Sequence, residues 1–104
     1  MVRALLALTL LLAACNKASV QECDKGVRQY FKLVYWEEAE AQIAAVPEAE
    51  RAALRLQKQE ELEPRMMKNI DLAVNKCVSG AGAKRARCWT KATTVKEAKA
   101  CDND

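Results

Sequence analysis

The chain contains no histidine and only three glycines and two prolines. The missing imidazole excludes Ser-His-Asp and Cys-His nucleophilic sites in their common forms, the HExxH zinc motif and the usual general acid or base. Gly26, Gly80 and Gly82 are too few and too scattered for a glycine-rich phosphate loop or an EF-hand loop. No CxxC motif for thiol exchange is present either. We therefore expect no enzymatic activity, no cofactor and no metal.

Grouped acidic residues could in principle supply an acid and a base. They form two groups at helical spacing, Glu37, Glu38 and Glu40, and Glu60, Glu61 and Glu63. A glycosidase recruits its acid and base from such side chains. Solvated acidic helix faces explain both groups more simply, and we adopt that interpretation.

The first fifteen residues form a pattern of their own. Arg3 precedes an apolar run over residues 4–12, which leads into Leu12-Ala13-Ala14-Cys15. A charged start, a short apolar region and small residues before a cleavage point are typical of a secretory signal, and the run is too short to span a bilayer of roughly 30 Å. The last four residues resemble a bacterial lipobox. An ordinary cleaved signal peptide, with Cys15 free or bridged, is the alternative.

The lipobox resemblance implies a specific processing of the chain. Cys15 would receive a diacylglyceryl group on its sulfur, the chain would be cut before it, and the new N-terminus would usually be acylated, commonly with palmitate. Residues 1–14 are then a signal peptide, residues 15–19 a lipidated cysteine with a short tether, and residues 20–104 a single domain. The residue after the cysteine is Asn16. In enteric-type sorting an Asp at this position retains a lipoprotein at the inner membrane, so its absence favours the outer membrane facing the periplasm.

The other four cysteines, Cys23, Cys77, Cys88 and Cys101, are an even set in an exported chain, which favours disulfides. In an antiparallel helical hairpin, Cys23 lies beside Cys77, and a second, smaller hairpin brings Cys88 to Cys101. We predict these two pairs, with Cys23–Cys88 and Cys77–Cys101 as the alternative. Large apolar side chains are sparse outside the signal segment, so the core needs such bridges.

The periodicity is helical throughout, which predicts an all-α, disulfide-stapled bundle: a long helical hairpin followed by two short helices. Helices are expected over residues 20–45, 48–78 and 83–92, with a last helix after Thr94. We expect Pro64 to kink the second helix, and a new helix starting at Pro64 is the alternative. Ser19 with Glu22, and Thr94 with Glu97, have capping-box spacing. One face of the first helix carries Cys23, Val27, Tyr30, Phe31 and Val34, and a second carries Leu33, Trp36 and Ile43.

Cysteine spacing also carries a family resemblance. Ten residues separate Cys77 from Cys88, and eight separate Ala92 from Cys101. This spacing resembles that of small all-α lipoproteins of unknown function from Gram-negative bacteria. The resemblance covers the last thirty residues or so. It implies a disulfide-stapled helical bundle and carries no catalytic residue across.

Charge is distributed unevenly along the chain. Residues 37–63 are predominantly acidic, whereas a basic C-terminal stretch surrounds an aromatic side chain, with candidate ligand-binding residues Lys84, Arg85, Arg87, Trp89, Lys91, Lys96 and Lys99. The formal net charge of the chain is only +3, so we expect no nucleic-acid partner. Lysines that merely solvate short helices are the simpler explanation of the basic stretch.

Three functions remain from this sequence. The leading one is a non-enzymatic envelope lipoprotein, anchored in the membrane by acyl chains on Cys15, whose helical domain binds or braces an envelope protein or cell-wall component. The second is a binder of anionic ligands, such as lipopolysaccharide, anionic lipid or cell-wall polymer, through the basic stretch. The third is a thiol or redox protein using Cys88, whose neighbours Lys84, Arg87 and Lys91 would lower a thiol pKa.

Overall fold

The computed structural model describes residues 19–80 and 82–103, and these residues are helical with no strand among them. Four helices follow in order: α1 (Val20–Ala45), α2 (Glu48–Ser79), α3 (Ala83–Lys91) and α4 (Val95–Ala100). A short 3₁₀ turn, Cys101–Asn103, follows α4. The predicted all-α class, with a long hairpin and two short C-terminal helices, is confirmed.

The ends of the helices follow local sequence signals. The Ser19 hydroxyl accepts a hydrogen bond from the Glu22 amide at 3.0 Å and caps α1. Thr94 caps α4 in the same way, through the Glu97 amide at 3.1 Å. The Glu97 carboxylate reaches back to the Thr93 amide rather than to that of Thr94, so the reciprocal bond of the capping box lies one residue earlier than the spacing predicts.

The hairpin turns at Val46 and Pro47, and α2 then runs without interruption through Pro64. Proline at position 64 has no amide hydrogen to donate to the preceding turn, which ordinarily weakens a helix interior. The half-buried Leu62 precedes the proline, and the buried face of α2 follows it. Packing of that face compensates for the missing hydrogen bond. The buried members of the face are Met66, Ile70, Val74 and Cys77.

On α1, the buried row advances in steps of four residues: Cys23, Val27, Tyr35, Ala39 and Ile43 are buried, and Phe31 packs against the core. The predicted face is wrong at Val34, which is 38% exposed. A row with four-residue spacing inclines around the helix, and it therefore passes from Phe31 to Tyr35 instead of to Val34. The Tyr35 hydroxyl donates to the Lys58 carbonyl at 2.6 Å and ties the middle of the hairpin together.

Two disulfides join the elements, and they are the predicted pairs. Cys23–Cys77, here named the long-range bridge, connects the start of α1 to the end of α2. Cys88–Cys101, the C-terminal bridge, connects α3 to the end of α4. The main core surrounds the long-range bridge, where α3 also packs.

Gly26 on α1 sets how closely α3 approaches. A Cβ atom at this position would lie 2.5 Å from the Ala86 carbonyl oxygen and 2.8 Å from its Cα. The absence of a side chain therefore lets the two backbones touch. Ala86 is fully buried in this contact. The Gln29 amide group donates to the Ala92 carbonyl at 2.8 Å and secures the other end of α3 against α1.

Candidate functional site

The basic residues singled out in the sequence lie on the surface, and several of them have acidic neighbours. The Arg85 guanidinium lies 3.5 Å from the Asp102 carboxylate, and the Arg87 guanidinium lies 3.3 Å from that of Glu22. Lys99 lines a shallow groove together with Glu37 and Glu38. All six basic residues of the predicted set are exposed: Lys84, Arg85, Arg87, Lys91, Lys96 and Lys99. The structure therefore divides the basic stretch among several local environments.

Trp89 is held within the domain rather than presented as a free surface aromatic. It is half-buried, and its indole Nε1 donates to the Ala98 carbonyl at 3.1 Å. Its ring meets that of Tyr30 with the centroids 4.8 Å apart and the planes inclined by 43°. The indole N–H already has a protein acceptor, so Trp89 offers a ligand the surface of its ring.

The two aromatic rings form one wall of the main cleft of the domain. The cleft lies between α1, the end of α2 and α3, and it encloses about 520 Å³. This volume falls within the range of small-molecule sites. The cleft is lined by Val27, Tyr30, Ala73, Lys76, Cys77, Gly80, Gly82, Arg85 and Trp89.

The structure brings Arg85 and Trp89 of the predicted set into this cleft and adds Tyr30 and Lys76, which the sequence analysis did not select. A partial signal for both was present in the sequence. Tyr30 lies three residues after Val27 on the predicted packed face, and Lys76 precedes Cys77 of a predicted bridge. Their approach to Trp89 depends on how α3 packs, which local patterns do not determine.

Gly82, the residue before α3, lies at one edge of the cleft. A Cβ atom at Gly82 would lie 2.7 Å from the Cys77 carbonyl oxygen and 3.0 Å from its sulfur. The backbone at Gly82 therefore packs directly on the long-range bridge, and only glycine fits there. This side of the cleft is consequently held in place by a covalent cross-link.

The acidic groups lie on mostly exposed helix faces, and three of their six members, Glu40, Glu61 and Glu63, have arginine partners. Arg55 binds Glu40 through two hydrogen bonds, one of them from Nη2 at 3.0 Å, and this bonding lowers the pKa of the Glu40 carboxyl. Arg65 lies 3.5 Å from Glu61. A general acid requires a raised pKa, the opposite of the shift at Glu40. The arrangement agrees with the interpretation as solvated helix faces.

The four cysteines of the described domain are all in disulfides. Cys88, the candidate for thiol chemistry, is bonded to Cys101 and has no free thiol in this state. Within residues 19–80 and 82–103, no group of three or more histidine, cysteine, aspartate or glutamate side chains is placed to hold a metal ion.

The predicted lipidation site, Cys15, lies outside the described residues. Among the helices of the described part, none is both long enough and apolar enough to cross a membrane. In comparisons with known proteins, no family model, no curated protein and no solved structure matches the chain.

Proposed function

We propose that this protein is a lipid-anchored, non-enzymatic component of the bacterial cell envelope. Acyl chains on Cys15 hold it in the membrane, most simply the outer membrane facing the periplasm, and the helical domain binds or braces an envelope protein or cell-wall component. A single acyl chain gives only marginal membrane binding, at about 0.8 kcal/mol per buried CH₂ group, so two or three chains make a stable anchor.

The cysteine pairing is the observation that carries this proposal. The chain has five cysteines, and two bridges within the domain use four of them. Cys15 therefore has no cysteine left in its own chain to pair with. It is also the cysteine that ends the lipobox-like tetrapeptide. Two disulfides are themselves typical of an oxidising compartment such as the periplasm.

The position of the first helix determines how the anchor would present the domain. Ser19 caps α1, and α1 begins at Val20, so residues 16–19 form the tether after Cys15. Even fully extended, four residues span at most about 14 Å. The end of the domain that carries the long-range bridge would therefore lie close to the bilayer, and the turn at Pro47 would point away from it.

Metabolic labelling with an alkyne analogue of palmitate tests this proposal in the native host. We expect the wild-type chain to incorporate the label and to sediment with membranes. Cys15→Ser should abolish both, whereas Lys17→Ser, a change to the same residue type in the tether, should leave both intact. Labelling that persists in Cys15→Ser, or a wild-type chain found unlabelled in the soluble fraction, would contradict the proposal.

A further inference from the structure

We propose that the cleft between α1, α2 and α3 binds a small amphipathic anion. Its apolar body would lie against Tyr30 and Trp89, and its carboxylate or phosphate would meet Lys76 and Arg85. This site replaces the broad basic face suggested by the sequence with a defined cleft. It goes beyond the anchoring function and does not depend on it, since every lining residue named here belongs to the described domain.

The body of the cleft is apolar. Val27 and the bridged Cys77 are buried behind it, and the Trp89 ring and Ala73 pack against the same core. Because the Trp89 N–H is bonded to Ala98, the aromatic wall contributes ring surface rather than a hydrogen-bond donor. An apolar group that packs on this ring leaves water, and the hydrogen bond between the Trp89 N–H and Ala98 stays intact.

The charge of the cleft favours an anion. Lys76 and Arg85 both line it, and none of the described lining residues is acidic. Asp102 reaches Arg85 from outside the lining, and the two side chains are 52% and 47% exposed, so their pairing is weak. A guanidinium has five N–H donors, so Arg85 can donate hydrogen bonds to Asp102 and to a bound anion at the same time.

The volume of the cleft leaves room for an apolar group beside the aromatic rings. Aromatic rings form one side, while the small residues Ala73, Gly80 and Gly82 stand among the remaining lining. The contact of Gly82 with the long-range bridge keeps this part of the site in place before binding, which reduces the entropic cost of ordering it. A flat ring or an extended hydrocarbon chain, each with one anionic group, meets these requirements.

The two tryptophans provide a built-in assay by NMR. Trp89 forms the cleft wall, and Trp36 lines a separate shallow groove, so the Trp36 indole N–H signal serves as an internal reference. The full chain, in zwitterionic detergent, is titrated with 2-naphthoate and with octanoate. The matched neutral compounds are 2-naphthylmethanol and octanol, and inorganic phosphate tests the charge alone.

We expect a saturable shift of the Trp89 indole signal with a carboxylate and at most a minor change at Trp36. Saturation with naphthoate identifies the ligand of the cleft as an aromatic acid, and saturation with octanoate identifies it as a fatty acid. The neutral compounds should bind on the order of tenfold more weakly. The proposal is overturned by the absence of saturation with both carboxylates, by equal affinity for the alcohols, or by an equal response to phosphate alone.

Variants separate a binding role from a structural one. Lys76→Gln should weaken carboxylate binding about fivefold and leave alcohol binding unchanged. Lys68→Gln, which removes the same charge from an exposed position on α2 outside the cleft, should change neither. Ala73→Phe should fill the cleft and abolish binding, with thermal unfolding checking that the variant is folded. If Lys76→Gln and Lys68→Gln bind alike, the site is not the one proposed.

Discussion

Gly26→Ala probes the closest helix contact in the domain. The new Cβ atom would lie 2.5 Å from the Ala86 carbonyl oxygen, whereas ordinary contacts begin near 3.4 Å, so α3 must retreat by about 1 Å. The Gln29 bond to Ala92 and the Tyr30 stacking on Trp89 oppose that movement. Overpacking of this kind costs about 1–3 kcal/mol.

A second effect of the same change has the opposite sign. Alanine is favoured over glycine inside a helix by about 1 kcal/mol, which offsets part of the overpacking cost. Because the clash is with backbone atoms of Ala86, which no side-chain rotation can relieve, the overpacking cost lies in the upper part of its range, at about 2–3 kcal/mol. We therefore expect Gly26→Ala to lower the free energy of unfolding by about 1–2 kcal/mol. Urea denaturation under non-reducing conditions, followed by far-UV circular dichroism, measures this difference.

Gly80→Ala is the matched control, since it makes the same chemical change at a site with more space. Its Cβ would meet only the Lys76 carbonyl, at 3.2 Å, so a much smaller loss is expected. The reasoning is refuted if Gly26→Ala is as stable as wild type or more stable. That result would mean that α3 does not lie across α1 at Gly26.

Three further changes test other parts of the fold by denaturation. Replacing both cysteines of the long-range bridge by serine should lower the free energy of unfolding by about 4 kcal/mol, and the same change at the C-terminal bridge should lower it by about 3 kcal/mol. The difference is expected because the first bridge joins residues 54 apart in the sequence and the second joins residues 13 apart. A larger loss at the C-terminal bridge would contradict this ranking. Tyr35→Phe should cost about 1 kcal/mol at neutral pH by removing the hydroxyl bond to Lys58. Burial, with a smaller contribution from Glu61, raises the pKa of Tyr35 in the folded protein. The tyrosine therefore ionises first in the unfolded chain, and the stability difference between wild type and Tyr35→Phe should shrink as the pH rises above about 10. A stability difference that grows above this pH would contradict the prediction. Pro64→Ala should stabilise the domain by about 1–3 kcal/mol by restoring a donor inside α2, and a loss of stability would show that the packing requires proline.

Features governed by local chemistry could be predicted from the sequence. Ser19 and Thr94 cap their helices because a hydroxyl three residues before an amide needs only local geometry. The long-range bridge followed from the antiparallel register of a hairpin whose turn is marked by Pro47, and the C-terminal bridge followed from the second, smaller hairpin. The caps depend on local geometry, and the bridges depend on the order of helices and turns along the chain.

Features that depend on how α3 packs could not be predicted in the same way. Arg87 is paired with Glu22, 65 residues away in the sequence, and the basic stretch gave no indication of this partner. The predicted helix over residues 20–45 includes Gly26, but the sequence gives no indication that Ala86 packs against it. The cleft likewise combines α1, α2 and α3, and only the three-dimensional arrangement brings Lys76 beside the aromatic wall.

Intact-mass spectrometry of the protein extracted from its native membrane tests the anchored, doubly bridged domain most directly. We predict a chain that starts at Cys15, carries the added mass of its acyl groups, and gains the mass of four hydrogens on reduction of its two disulfides. A chain without acyl mass at Cys15 would contradict the anchor. A mass unchanged by reduction would contradict the bridges on which the fold depends.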